Sequence, residues 1–250
     1  MSQCAIAMSF RTISALAIVW VVGCTPPAPQ APTEYLLRIK ETPGSKWSYT
    51  YKLTTFADPK GMTPANAKKR GIPEYSSADI TGTVDMEVKE VKDGKTTFNK
   101  VGKTTSAKGT GVWVAQANDL MKAAPDVATY VWNAQCGNAN IEKGEFYDPM
   151  TNSFHDLFPK EPVKVGSTWK YKPFPEHKDS ATAKVLAVEK AHGRDTVKIE
   201  IDLPGMPGDK NTMTVWIDPS NGRYLKVDML SVSNIEGLKS ENHMIQDIKT

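Results

Sequence analysis

The side chains best suited to chemistry are few and badly spaced for it. The 250 residues hold four histidines, His155, His177, His192 and His243, separated by 22, 15 and 51 positions. None of these intervals is the short one at which a zinc site draws two ligands from one turn or helix face, and there is no His-Glu-x-x-His run. His155-Asp156 and Glu176-His177 are the adjacent His-carboxylate pairs, and neighbours on a strand point to opposite faces. A Gly-x-Ser-x-Gly elbow, a Walker loop and a dinucleotide fingerprint are all missing. Asp79, Asp85, Glu87, Glu200 and Asp202 alternate with apolar residues, as a solvated strand face does, and no spacing selects two of them as an acid-base pair. Lys+Arg total 31 against 28 Asp+Glu, without the clustered basic face that nucleic acid requires. The expectation is a non-enzymatic protein with no catalytic residue, no metal site, no cofactor and no nucleic-acid partner.

Aromatics are the remaining candidates. Trp47, Trp113, Trp169 and Trp216 fall at matching places in what reads as an internal repeat. Gly44-Ser45-Lys46-Trp47-Ser48-Tyr49 is echoed by Gly166-Ser167-Thr168-Trp169-Lys170-Tyr171, and Val112-Trp113-Val114 by Val215-Trp216-Ile217, with turns at Asp93-Gly94 and His192-Gly193 between. Strand tryptophans usually fill the inner face of a sheet; the sharper reading is that some of these four line an apolar ligand groove, where indole gives contact area without charge. Lys68-Lys69-Arg70 reads as a solvated loop before it reads as a headgroup or peptidoglycan contact.

The elements that would position these residues are strands. Trp47, Tyr49, Tyr51 and Leu53 alternate with polar residues; so do Val84, Met86 and Val88, then Val197, Ile199, Ile201 and Leu203, then Leu225, Val227 and Met229. Period two with one charged face indicates an antiparallel sheet wet on one side. Asp93-Gly94, His192-Gly193 and Asp218-Pro219-Ser220-Asn221-Gly222 separate strand-like runs. Helical signal is thin: a short helix over 64–70, opened by Thr63 and Pro64 and closed by Gly71, and another over 115–124. The fold class is mainly β: a curved antiparallel sheet or half-barrel with few short helices and two internally similar halves, about 34–132 and 155–250. Residues 133–162 read as irregular.

Before residue 34 the chain is an address. Residues 13–22 form an uncharged apolar run after Arg11. As a helix it reaches about 15 Å, half a bilayer core, which suits a signal peptide and not a span. The start is either Met1 or Met8, and from Met8 the positive charge lies near the front. Val21-Val22-Gly23-Cys24 resembles the lipobox of bacterial lipoprotein precursors. The resemblance implies cleavage after Gly23 (signal peptide 1–23), a diacylglycerol thioether and palmitate on Cys24, and a membrane lipid anchor. Residues 24–33, with four prolines, then form a tether. The implied location is the bacterial cell envelope, on the outer membrane facing the periplasm if the source has two membranes. Cys4 leaves with the leader and Cys24 is acylated, so Cys136 stands without an intramolecular disulfide partner, and a buried apolar role suits it.

The Gly-x-x-Trp-x-Tyr strands and the run Trp216-Ile217-Asp218-Pro219-Ser220-Asn221-Gly222-Arg223-Tyr224-Leu225, behind such a leader, resemble the half-barrel lipoproteins of the Lol-type carriers. In that family a curved sheet wraps helices around a lipid-binding cavity. Three functions stand in order: an anchored envelope protein binding an apolar ligand (lipid or acyl chain) or a partner protein; a structural or interaction module of an envelope assembly; and an envelope hydrolase with a site assembled from distant residues.

Overall fold

The computed structural model describes residues 33–123, 125–143, 156–173, 179–205 and 209–249. Cys24 and the expected leader lie outside the described residues, as do His155 and His177. Among the described residues the strands are β1 (Lys46–Asp58), β2 (Ser76–Lys92), β3 (Lys95–Thr110), β4 (Asp126–Asn133), β5 (Asn138–Lys143), β6 (Thr168–Tyr171), β7 (Ala181–Ala191), β8 (Arg194–Asp202), β9 (Lys210–Ile217), β10 (Tyr224–Ile235) and β11 (Leu238–Ile248). Two helices, α1 (Pro64–Lys69) and α2 (Gly111–Lys122), interrupt them. The expected mainly β class is what the chain adopts.

All the strands join one antiparallel sheet in the order β5-β4-β3-β2-β1-β11-β10-β9-β8-β7-β6. The chain starts at the centre, steps out to β5, reappears at the far edge as β6 and steps back to β11, which pairs with β1 over ten residues from Tyr49 to Asp58. The sheet does not close into a barrel, since β5 and β6 are its two edges. Two-residue hairpins set three registers: Asp93-Gly94, His192-Gly193 and Glu236-Gly237 each place both central residues at positive φ, the twist that right-handed strands favour. Only the first carries the Asn/Asp-Gly signature; Glu236-Gly237 is not among the turns that the sequence marks.

One hydrophobic cluster draws on Phe98 and Tyr130 from β3 and β4 as well as on Val185, Ile199 and Ile201 from β7 and β8. Strands eight places apart would lie roughly 38 Å apart in a flat sheet, so the sheet rolls around its core. Register shifts in the β2–β3, β4–β5, β7–β8 and β9–β10 pairs supply bends for that roll. The extended segment 35–40 straps across the rolled face. Tyr35 pairs with Val163, the Ile39 N–H donates to Ala134 O at 2.9 Å, and the Lys40 N–H donates to Asn221 O at 2.9 Å. Gly222 lets it approach: a Cβ there would run into the backbone of Arg38.

The two Gly-Ser openings are built alike. Gly44 and Gly166 have φ of 82° and 88°. Gly44 N–H donates to Val88 O and Ser45 O accepts from Val88 N–H; Gly166 and Ser167 do the same with Val185, all at 2.8–2.9 Å. Both halves also step across the sheet in the same direction, β1 to β5 and β6 to β10. The second echo fails. Trp113 lies on α2, which starts at Gly111 and not at the expected Ala115, whereas Trp216 is the penultimate residue of strand β9. The reason is a cap from outside the local sequence. Thr110 makes no side-chain cap bond; Ser76 on β2 takes its place, its hydroxyl accepting the Trp113 N–H at 3.1 Å.

Candidate functional site

Cross-strand pairing arranges the inner face as rows that no single strand reveals. Direct partners run Met213–Met229–Met244–Leu53–Ile80 across β9, β10, β11, β1 and β2. On one side lies Val215–Val227–Gln246–Tyr51–Gly82, and on the other Asn211–Ser231–Asn242–Thr55–Ala78. Gly82 is where the Tyr51 ring rests, in space a Cβ would fill. The Tyr51 hydroxyl meets Thr104 Oγ1 at 2.9 Å. The amide and hydroxyl row satisfies itself: Ser231 donates to Asn211 Oδ1 and Thr55 to Asn242 Oδ1, each at 2.5 Å. These three rows carry no Asp, Glu, Lys, Arg or His.

Cover is unequal along them. Met213, Val215, Ile199 and Ile201 are fully buried. Leu53, Ile80, Met229 and Tyr51 stay half-buried. At that end α2 packs against β2 and β3, yet Ala117 is its one buried residue; Val112, Trp113 and Val114 are half-buried and Leu120 is 53% exposed. Half-buried apolar side chains therefore remain at this end, on the rows of the sheet and on a helix that packs on β2 and β3, next to the amide-hydroxyl row.

The four tryptophans do not converge. Trp47 and Trp169 sit on the inner face, half-buried against the core. Trp47 meets Phe98 edge-on with centroids 5.9 Å apart, and the Arg223 guanidinium lies 3.8 Å over its ring. Trp169 donates its indole N–H to Leu157 O at 2.8 Å. Trp113 is on α2 and half-buried. Trp216 lies on the outer face, its ring between the Lys198 and Lys226 ammonium groups at 4.9 and 5.1 Å, its N–H on Glu189 Oε1 at 2.6 Å. Its position follows from parity: Val215 and Ile217 face inward, so Trp216 cannot. The Trp216 bond and then Lys198 hold the Glu189 carboxyl below its ordinary range.

Register also creates His-carboxylate pairs that spacing could not show. His243 meets Asp228 at 2.8 Å and His192 meets Asp247 at 3.2 Å, both on the outer side. Among the described residues no Ser or Cys is hydrogen-bonded to either ring, and no group of three or more His, Cys, Asp and Glu could hold a metal. Cys136 is 3% exposed, and burial followed by Asp156 pushes its thiol up, away from nucleophilic use. Lys100 is 1% exposed on β3 with its ammonium 5.8 Å over the Tyr130 ring, and burial holds it well below the ordinary lysine range.

Comparison with known proteins adds two structures. No family model matches the chain, and no curated protein matches it. A domain from Vibrio parahaemolyticus described as an outer membrane lipoprotein-sorting protein aligns over 82% of this chain and 86% of its own, at 11% identity and a TM-score of 0.20. A DUF1329 family protein from Desulfovibrio piger aligns over 82% and 85%, at 9% identity and a TM-score of 0.18. Superposition this loose transfers no residue and no ligand.

Proposed function

We propose that this chain is a lipid-anchored protein of the bacterial envelope that binds an acyl chain, or a ligand equally apolar and flexible, in a trough between α2 and the inner face of the sheet. The observation that carries this reading is the uncharged row Met229–Met244–Leu53–Ile80, left partly open, with Trp113 half-buried on the helix that packs on β2 and β3. Unbranched thioether side chains adapt their shape to a flexible apolar guest, and a concave apolar site with a few polar groups at its rim is the usual form of a small-ligand pocket. Binding, and not catalysis, is the proposed activity, because these rows contain no carboxylate, His, Lys or Cys, and the Ser231 and Thr55 hydroxyls donate to the Asn211 and Asn242 amides instead of to a base. Trp113 is the proposed contact on the helix side; Trp47 and Trp169 support the inner face, and Trp216 stands apart on the outer one. The lipobox supports Cys24 as the point of attachment.

Native mass spectrometry of protein purified from its own membranes tests the reading. The expected spectrum carries an adduct of lipid mass that Met229→Lys removes while the protein stays folded. A spectrum of bare protein, or an adduct indifferent to Met229→Lys, would contradict it. Cys24→Ser is expected to abolish palmitate labelling and leave the precursor uncleaved; mature-size protein in the membrane fraction of that variant would remove the anchor.

A further inference from the structure

The strap fixes where the chain leaves the sheet. Because Tyr35 pairs with Val163, Thr33, the first described residue, lies near the segment that leads into β6. Cys24 lies nine residues earlier, and an extended proline-rich run of that length reaches roughly 28 Å. Two of the exposed large apolar side chains gather at this exit, Leu36 at 43% and Val165 at 57%. Lys160, Lys164, Lys170 and Lys172 are exposed around them. Arg38 is held close by, its guanidinium donating to Pro159 O at 2.6 Å and Lys160 O at 2.5 Å. The described acidic groups on this side include Glu34, Asp156, Glu161 and, at the β6–β7 connection, Asp179, and Asp156 already accepts from the Asn133 amide at 2.9 Å. A cleft of about 450 Å³ opens along β6, lined by the apolar Phe158, Trp169 and Tyr171 and by Lys160, Lys170 and Lys172, three cations against the single carboxylate of Asp156.

We propose that this face docks on an anionic bilayer, the lysine-lined cleft taking the phosphate of a lipid headgroup while Leu36 and Val165 enter the interface. Cationic side chains beside an anionic leaflet and apolar or aromatic groups at headgroup depth are the two ingredients of peripheral membrane binding. The orientation this gives to the domain rests on the Cys24 anchor proposed above. The surface itself does not, so it is tested without acyl chains and without reference to the trough. A lost anchor or an empty trough would leave this result standing.

The experiment uses the mature chain, residues 24–250, carrying Cys24→Ser, in co-sedimentation with phosphatidylcholine vesicles containing either none or about 30% phosphatidylglycerol. Binding is expected to the anionic vesicles, to fall with added salt, and to weaken about tenfold or more in the triple variant Lys160→Glu/Lys170→Glu/Lys172→Glu. Val165→Ser, an exposed change that leaves charge alone, is expected to weaken it as well. Lys68→Glu/Lys69→Glu/Lys239→Glu makes the same change in net charge on α1 and β11 and is expected to leave binding intact. Equal binding to neutral vesicles, an unaffected cleft variant whose melt is unchanged, or equal loss in the α1 and β11 variant would overturn the proposal. Indifference to vesicles together with capture of poly-glutamate through the same lysines would also overturn it, in favour of an acidic peptide.

Discussion

Ile199 and Leu53 both sit on the inner face of one continuous sheet, and both belong to strands with the same alternating pattern. The first is fully buried and the second is half-buried. What differs is the cover. Over β7–β9 the face is closed by the strap at 35–40 and by Leu157, Phe158 and Val163, all buried. Over β2 and β3 it has α2, a helix with one buried residue. Alternation in a strand states which face a side chain takes; it says nothing about what arrives to cover that face. The open region is where a protein of this build has apolar surface left for a guest.

Breaking the cover should have the largest effect. Arg223 grips Glu41 through two bonds at 2.9 and 2.7 Å, with side chains 13% and 5% exposed, and so ties the strap to the β9–β10 turn. Glu41→Ala leaves that guanidinium uncompensated over Trp47, and denaturant melts should show a loss of about 3–5 kcal/mol. A loss under about 1 kcal/mol would mean that the strap is an accessory to the fold.

Truncation measures the contrast between the two regions directly. Ile199→Ala should cost about 2–5 kcal/mol, as cavities in closed cores do. Met229→Ala, at a half-buried position, should cost less, about 1–2 kcal/mol, because part of its side chain stays in water. Equal losses would erase the distinction. Trp47→Ala and Trp169→Ala should each cost about 3 kcal/mol and agree with one another, since both follow the same Gly-Ser opening and lean on the same core.

Much of this fold was legible in the chain. The alternating runs became β1, β2, β8 and β10, the Asp93-Gly94 and His192-Gly193 turns became hairpins, and Thr63-Pro64 opened α1 as its cap chemistry demands. The trough was not legible, because it is made by register. Met213, Met229 and Met244 are separated by more than ten positions each, and nothing local says that they are direct neighbours. Trp113 was misplaced for a related reason, its helix being capped by Ser76 from another strand. Trp216 was grouped with the inner tryptophans on its neighbours' types, although its parity puts it outside.

The smallest effect separates packing from charge within the closed region. Lys100 has its ammonium below the ordinary range in the folded chain, so the unfolded chain binds the extra proton as pH falls below the lysine value. Stability should therefore rise as pH climbs from 7 toward 10, and Lys100→Met should flatten that slope and add about 1–3 kcal/mol at pH 7. Melts of both proteins across that range check the sign; a slope unchanged in Lys100→Met would place its source elsewhere.

The most direct test of the trough is tryptophan quenching by a brominated fatty acid, because bromine quenches only indoles close to the bound chain. Saturable quenching is expected, and it should fall sharply in Trp113→Phe while Trp216→Phe, altered on the outer face, keeps it. Quenching that never saturates, or that survives intact in Trp113→Phe, would contradict a ligand lying between α2 and the sheet.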